Sequence, residues 1–269
     1  MILEGKRILV TGVVNGESIA FATAARAQEL GAQVVLSAFP RDFEKTVETA
    51  RTLPEETPVI AADLTSEEDA AALRSSIDEL WGELDGALHA IAFAPRTALA
   101  GEFMEAAPGD LDIAFQTSAV SYASLGRILR DLSPGPGSSL VGLDFDATGA
   151  WPVYNWMGVC KAALESANRY LARDLGELGI RSNLIAAGPI HTRAAGGIPD
   201  FQVLLDAWES RAPLAWDPED SEPVADTACF LFSDLSRAMT GEILHVDGGY
   251  HAMAGALRAA DRAVSGSAK

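Results

Sequence analysis

The sequence predicts an α/β protein built on one seven-stranded parallel sheet with helices on both faces. Short β-branched runs alternate with longer helical patterns along the chain, and turn signals fall between them. Strands separated so regularly by helices need crossover connections, which make neighbouring strands parallel and cover both faces of the sheet. No stretch reads as a linker or a short-period repeat, so residues 1–269 form a single domain.

"RILVTG" reads as the first strand and "SIAFATAARAQELG" as the helix after it, closed by Gly31. "AQVVLSA" is the second strand, followed by a helical stretch over residues 41–53. "PVIAAD" is the third, and "TSEEDAAALRSSIDELWG" then opens on a Ser/Thr cap with an acidic first turn. "LDGALHAIAFA" gives the fourth strand, and a helix over residues 110–132 stops at "SPGPGSS", a strong turn. "SLVGLDF" is the fifth strand, a helix follows Tyr154, and "GIRSNLIAAGPI" is the sixth. Two more helical stretches precede "GEILHVDGG", the seventh. This is the order of a doubly wound, Rossmann-type domain. The tail over residues 251–269, rich in Ala and Ser, is expected to fray at its end.

Composition narrows the function classes. The chain is 48% hydrophobic, enough to bury a core without staples. Cys160 and Cys229 lack metal or redox spacing and read as reduced, buried thiols, as expected for a cytoplasmic protein. His89, His191, His245 and His251 are scattered, so no metal site is expected. Neither a signal peptide nor a run of 18 apolar residues occurs, so no membrane partner is expected. With 20 basic against 38 acidic residues and a formal charge of −18, the surface opposes nucleic acid and anionic lipid.

In "ILVTGVVNGESIA" a strand ends at Thr11, glycines follow at 12 and 16, and a helix begins near Ser18. Gly12 permits a sharp turn, and the helix N-terminus offers free N–H groups and a favourable dipole to a pyrophosphate. The third glycine of the usual dinucleotide fingerprint is replaced near Ser18, and Asn15-Gly16 is a flexible pair inside the loop. A dinucleotide lies across the carboxyl ends of the strands, so those ends carry further candidates. Phe39, after the second strand, covers an adenosine face or closes a core edge. Asp63-Leu64 ends the third strand, with Asp63 suited to an adenine amino group or to capping the next helix. The second strand ends without an acid for a ribose 2′-hydroxyl, and Arg41 alone is available for a 2′-phosphate, which favours NADH over NADPH.

In "WPVYNWMGVCKAALES" Tyr154 stands seven residues before Lys161, just after the fifth strand. At about 100° and 1.5 Å per residue, that spacing puts both near one helix face, two turns apart. Together with "TGVVNGESIAF", "HAIAFAP", "RSNLIAAGPIHT" and "TGEILHVDGG", the pattern resembles the short-chain dehydrogenase/reductase superfamily, and within it the enoyl-acyl-carrier-protein reductases. The likeness covers roughly residues 3–253 and points to the actinobacterial, mycobacterial-type NADH-dependent members. Ketone-reducing members of that superfamily place Tyr four residues before Lys. Three further residues move Tyr about 4.5 Å along the axis if the helix continues. That suits conjugate reduction, in which hydride reaches the β-carbon while charge gathers on the thioester oxygen three bonds away. The serine that ketone reducers carry after the fifth strand is absent, with Asp144-Phe145-Asp146 in its place.

The resemblance implies a catalytic set of Tyr154, Lys161 and Phe145. Tyr154 binds the thioester carbonyl, Lys161 the nicotinamide ribose, and Phe145 flanks the acyl chain. It implies cofactor contacts from Gly12, Ser18, Ile19, Phe39, Asp63, Leu64, Ile91, Lys161, Gly188, Ile190 and Thr192. Substrate contacts are expected from Phe145, Tyr154, Met157, Phe201 and Leu205, the last two within a substrate loop and helix at about 192–210. In that segment Gly196-Gly197 is a hinge, and Phe201, Leu204, Leu205 and Trp208 form an apolar face that lines the acyl chain or closes the core. The segment is about ten residues shorter than in the mycobacterial long-chain enzyme, which favours acyl chains of ordinary fatty-acid length.

The expected partner is an enoyl group on acyl carrier protein or on coenzyme A. Two other functions stay open: a reductase of a specialised polyketide or coenzyme A thioester pathway, and a non-catalytic NAD-binding sensor. Intact Tyr154 and Lys161 speak against the sensor. Basic residues for carrier docking are sparse, with Arg96, Arg193 and Arg211 the candidates. The resemblance further implies a homotetramer, with "YHAMAGAL" and the small residues Ala162, Ala163, Ala167 and Ala172 of the helix at about 159–178 at the contacts.

Overall fold

Alternation along the central strands decides the layers. In β1 (Arg7–Thr11) Ile8 and Val10 face one side of the sheet and Leu9 the other, and all three are fully buried. The computed structural model describes residues 1–257, so the expected fraying at the end of the tail lies outside the described residues. After β1 come α1 (Ile19–Glu29), β2 (Gln33–Ala38), α2 (Phe43–Ala50), β3 (Val59–Ala61), α3 (Glu67–Trp81) and β4 (Gly86–His89). The second half runs α4 (Arg96–Leu99), α5 (Pro108–Phe115), α6 (Ser121–Leu132), β5 (Ser139–Asp144), α7 (Asn155–Gly176), β6 (Arg181–Ala187), α8 (Gln202–Arg211), α9 (Glu222–Phe232) and β7 (Ile243–Val246). The seven strands are parallel in the order β3-β2-β1-β4-β5-β6-β7. The strand order reverses between β1 and β4, where a crevice opens at the carboxyl ends.

Three apolar clusters follow. One packs α1 and α9 on one face of the sheet, and a second packs α3, α6 and α7 on the other. The third lies beyond the carboxyl ends of the strands. It joins Ala98 and Leu99 of α4, Phe145, Tyr154, Met157 and Cys160 to Leu204, Trp208 and Tyr250. That cluster holds Tyr154 and Phe145, two of the residues that the sequence marks as candidates.

Several boundaries differ from the sequence reading. The fourth strand stops at His89 rather than continuing through Ala94. Its ladder partner β1 ends at Thr11, whose hydroxyl donates to the Leu88 carbonyl (2.8 Å) and accepts from the Ala90 N–H (3.2 Å). Side chains thus satisfy the backbone that a longer strand would have paired. The helix expected over residues 110–132 begins at Pro108 and carries a π turn, Gln116–Val120, between α5 and α6. Ser118 in that turn donates to the Phe93 carbonyl and accepts the Phe93 N–H, each at 3.0 Å, tying the wide turn to the loop after β4.

Candidate active site

Gly12 ends β1 in the left-handed region at φ 83°, and a Cβ there would lie 2.0 Å from the Ala90 carbonyl oxygen. Only glycine lets β1 leave the sheet so close to the end of β4. The chain then turns at Asn15, whose carbonyl accepts from the Ser18 N–H (3.3 Å) and hydroxyl (3.0 Å). The Asn15-Gly16 pair is therefore held in place, and Gly16 has open space around it. Ser18 caps α1 by accepting the Phe21 N–H (3.1 Å), which leaves those of Ile19 and Ala20 at the helix end for an anion. A tight glycine turn feeding a capped helix at the strand reversal fits the pyrophosphate of a dinucleotide.

The remaining nucleotide candidates divide. Phe39 is 44% exposed, so it does not close a core edge. The Arg41 guanidinium lies 4.9 Å from its ring centre and 5.5 Å from that of Phe93, another exposed ring. Asp63 does not cap α3, because Ser66 does. Its carboxylate instead accepts the Thr65 N–H and hydroxyl in a local turn. Leu64 and Ile190 bury their side chains in the core, so only their backbones are placed to meet a ligand. Ile19 and Ile91 are half-buried against the same cores. Thr192 accepts the Ala195 N–H and opens the loop toward α8. At Gly188 a Cβ would stand 2.6 Å from Trp216 and 2.8 Å from Trp208, so the packing of two indoles demands this glycine.

After β5 the chain returns at Tyr154, the residue that caps α7, so the helix does continue from it to Lys161. Val153 at φ 58° and Asn155 at φ 39° flank Tyr154. Positive φ is strained for a β-branched residue, costing about 1–3 kcal/mol, and persists only where surroundings impose it. Those surroundings are visible. Asn155 Nδ2 donates to the Gly101 carbonyl (3.1 Å), Trp156 Nε1 to the Phe103 carbonyl (2.8 Å), and Trp151 Nε1 to the Asp146 carbonyl. Tyr154 is buried with its ring 5.0 Å from that of Phe145. Burial, reinforced by Asp144 and Cys160, holds its phenol well above the usual range, so it stays protonated.

Lys161 is buried, and its Nζ donates to the Leu143 carbonyl at 2.8 Å. Burial pushes its ammonium down, and the neighbouring Asp144 partly restores it. Asp144 is itself 5% exposed, with neither carboxylate oxygen in hydrogen-bond geometry with a partner. Burial pushes its carboxyl up to about 7, against the pull of Lys161. One strand away, fully buried His89 sits 2.7 Å from the Ser121 hydroxyl. Ser121 donates to the Thr117 carbonyl (2.6 Å), so His89 Nε2–H is the donor and Nδ1 is left without a partner. Burial, then Lys161, pushes His89 down to about 3, and its ring stays neutral.

Around Phe145 stands a set of aromatic rings. Its centre lies 5.0 Å from Trp151 and 5.5 Å from Trp208, and Trp208 stacks on Tyr250 at 3.8 Å. Of the expected substrate residues the structure gathers Phe145, Tyr154, Met157 and Phe201 in one cluster, and leaves Leu205 outside it. The inward face of α8 is Leu204 and Trp208. The sequence reading missed Trp151 and Tyr250. Trp151 lay within the stretch already singled out, whereas Tyr250 was read as part of an assembly segment and is in fact buried here. Ala172 is likewise buried within the chain, so it is not on a surface offered to a second copy. Among the docking arginines, Arg211 lies over the Tyr250 ring at 4.3 Å and donates to the Met253 carbonyl, which takes it out of consideration. Arg193 pairs with Asp42 at 3.2 Å, and Arg96 is exposed at the start of α4.

Comparison with known proteins bears on this geometry. The sequence model of the family described as Enoyl-(Acyl carrier protein) reductase matches residues 12–251. The chain is 43% identical over 262 residues to the NADH-dependent enoyl-acyl-carrier-protein reductase of Mycolicibacterium smegmatis, covering 92% of this chain and 97% of that protein. It is 43% identical, with the same coverage, to the protein so named in Mycobacterium avium. It is 40% identical to that of Aquifex aeolicus, covering 94% of this chain and 93% of the relative.

Proposed function

The chain belongs to the enoyl-acyl-carrier-protein reductase family, and from that premise we propose that it reduces trans-2-enoyl groups on acyl carrier protein with NADH, a step of fatty acid synthesis. The observation that carries the reading is Tyr154 at the cap of α7, buried and protonated beside Phe145, with buried Lys161 seven residues on along the same helix. NADH, when bound, supplies the hydride. Gly12 and the amino end of α1 take its pyrophosphate, Phe39 covers the adenosine, and Lys161 donates to the nicotinamide ribose hydroxyls. Tyr154 donates a hydrogen bond to the thioester carbonyl as charge gathers there, and burial keeps the phenol protonated and so able to donate. Phe145 and Met157 hold the acyl chain beside it.

No helix among the described residues is long and apolar enough to cross a membrane, consistent with a carrier-bound substrate met in solution. The assembly proposed is a homotetramer. Exposed Val159, Ala162 and Tyr170 on α7 lie at the spacing of one helix face, and the edge strand β7 is half-buried rather than covered. Light scattering tests it, and a 28.3 kDa species alone would refute it. The activity is tested by following NADH oxidation with trans-2-enoyl groups on acyl carrier protein and on coenzyme A. Turnover on the carrier protein is expected, and its absence on every thioester would defeat the reading.

A further inference from the structure

Two segments from opposite sides of the crevice meet at its carboxyl end. Arg193, six residues past the end of β6, places Nη1 3.2 Å from Oδ1 of Asp42, four residues past the end of β2. In the sheet β2 and β6 are separated by β1, β4 and β5. At about 4.8 Å between neighbouring strands they stand roughly 19 Å apart. The segments leaving β2 and β6 therefore span the ends of β1, β4 and β5 between them, and with these the crevice beside Gly12 and the amino end of α1. The Asp42 side is tied to the turn between β1 and α1. Thr46, fully buried one helical turn on, donates to the Val13 carbonyl (2.7 Å), and Thr49 donates to that of Val14 (3.4 Å). The other side is tied at His191, whose N–H donates to the Pro218 carbonyl (2.8 Å) and whose ring pairs with Glu219. Beyond Arg193, the N–H groups of Ala195, Gly196, Gly197 and Ile198 bond within their own segment. The Asp42 side chain is 16% exposed and makes no cap bond to α2; its second oxygen accepts Arg41 Nε at 3.3 Å.

We propose that Asp42 and Arg193 form a latch over the bound dinucleotide, and that opening of this pair sets how fast the cofactor leaves. The proposal rests on the reading of the crevice as an NADH site. With the pair closed, β6, the segment to Arg193, Asp42, α2 and the turn after β1 make a continuous ring of contacts around the place of the pyrophosphate. The ion pair is the weakest link of that ring. Partly exposed pairs shift an equilibrium by at most about fivefold, so this one opens often enough for cofactor to pass. Direct electrostatics predicts the opposite behaviour at Asp42. Removing a carboxylate beside an anionic cofactor weakens repulsion and slows release, whereas removing half of a latch speeds it.

The experiment measures the NADH dissociation rate by stopped-flow fluorescence, displacing NADH with excess NAD, in the unaltered protein, Asp42→Asn, Arg193→Gln and the double variant. Asp42→Asn keeps the shape of the side chain and is expected to raise the rate about threefold to fivefold. Arg193→Gln should raise it at least as much, since a cation near the phosphates is lost as well. Adding Asp42→Asn to Arg193→Gln should give no further increase, because the contact is already gone. Raising KCl from about 20 to about 500 mM should narrow the gap between the unaltered protein and Asp42→Asn to under about twofold, because salt screens the pair. A slower or unchanged rate in Asp42→Asn overturns the latch and leaves an ordinary surface contact. So does a further increase in the double variant, or a gap that salt does not narrow. An unaltered protein that binds no NADH would instead defeat the cofactor reading on which the latch depends.

Discussion

The candidate phosphate loop between β1 and α1 would place its chemistry through backbone, whereas the Tyr154 end would place it through side chains drawn from three distant segments, residues 145–161, Trp208 and Tyr250. In the first region Gly12, the Asn15 carbonyl and the Ser18 cap lie within seven residues of one another, and only Gly12 also answers to a distant segment, the Ala90 carbonyl. In the second, Tyr154 and Lys161 depend on Phe145, Trp151, Trp208 and Tyr250, which meet only after the chain has folded. The first region should therefore fail through conformation and the second through chemistry.

The largest expected effect breaks the comparison at its chemical end. Tyr154→Phe is expected to lower kcat by about 10²–10³, or about 2.7–4 kcal/mol in the barrier, because an oxyanion donor is lost. NADH affinity, measured by fluorescence titration, should stay within about twofold. Unchanged turnover would take Tyr154 out of the mechanism. Lys161→Ala should do the opposite first, weakening NADH binding, and tight binding in that variant would contradict its role at the ribose.

This contrast matches what was legible in sequence. The seven strands, their parallel pairing and the Tyr154/Lys161 spacing could be read because each depends on a local period or a short motif. Leu205 was misplaced because a helical period marks an apolar face without saying which residue of its edge meets the partner. The overlong fourth strand failed for a different reason. An apolar run cannot announce that Thr11 and Ser118 side chains will take its backbone N–H groups. Asp144 was legible only as part of the segment that replaces a serine, and His89 only as a scattered histidine, since their meaning lies in burial beside Lys161.

A smaller effect sharpens the comparison at the conformational end. Gly12→Ala forces a Cβ against the Ala90 carbonyl at a positive φ, and is expected to destabilise the protein by about 2–3 kcal/mol. Gly16→Ala, with open space and no such φ, should change stability by less than about 0.5 kcal/mol. Urea denaturation of the two variants checks this. Equal effects would mean that the loop, not the strand crossing, sets the requirement for glycine.

The smallest effect concerns pH and comes from the two buried groups beside Lys161. Asp144, raised from 3.8 to about 7, gains a proton more readily folded than unfolded, so its contribution is present below about pH 4 and is lost as pH rises toward 7. His89, lowered from 6.5 to about 3, works the other way: its contribution is present above about 6.5 and is lost as pH falls toward 3. Each slope reaches at most about 1.4 kcal/mol per pH unit. Over pH 4–6.5 the two oppose one another, and stability of the unaltered protein should be nearly flat from this source. Asp144→Asn removes the falling slope and keeps an uncharged side chain of the same shape. Its stability should then rise with pH across that window by about 1 kcal/mol per unit, as His89 is left to act alone. Urea midpoints at pH 4.5, 5.5 and 6.5 measure the difference between the two proteins, in which carboxylates elsewhere in the chain cancel. A difference independent of pH would show that Asp144 does not titrate in this range, and that the Lys161 ammonium keeps a charged partner throughout.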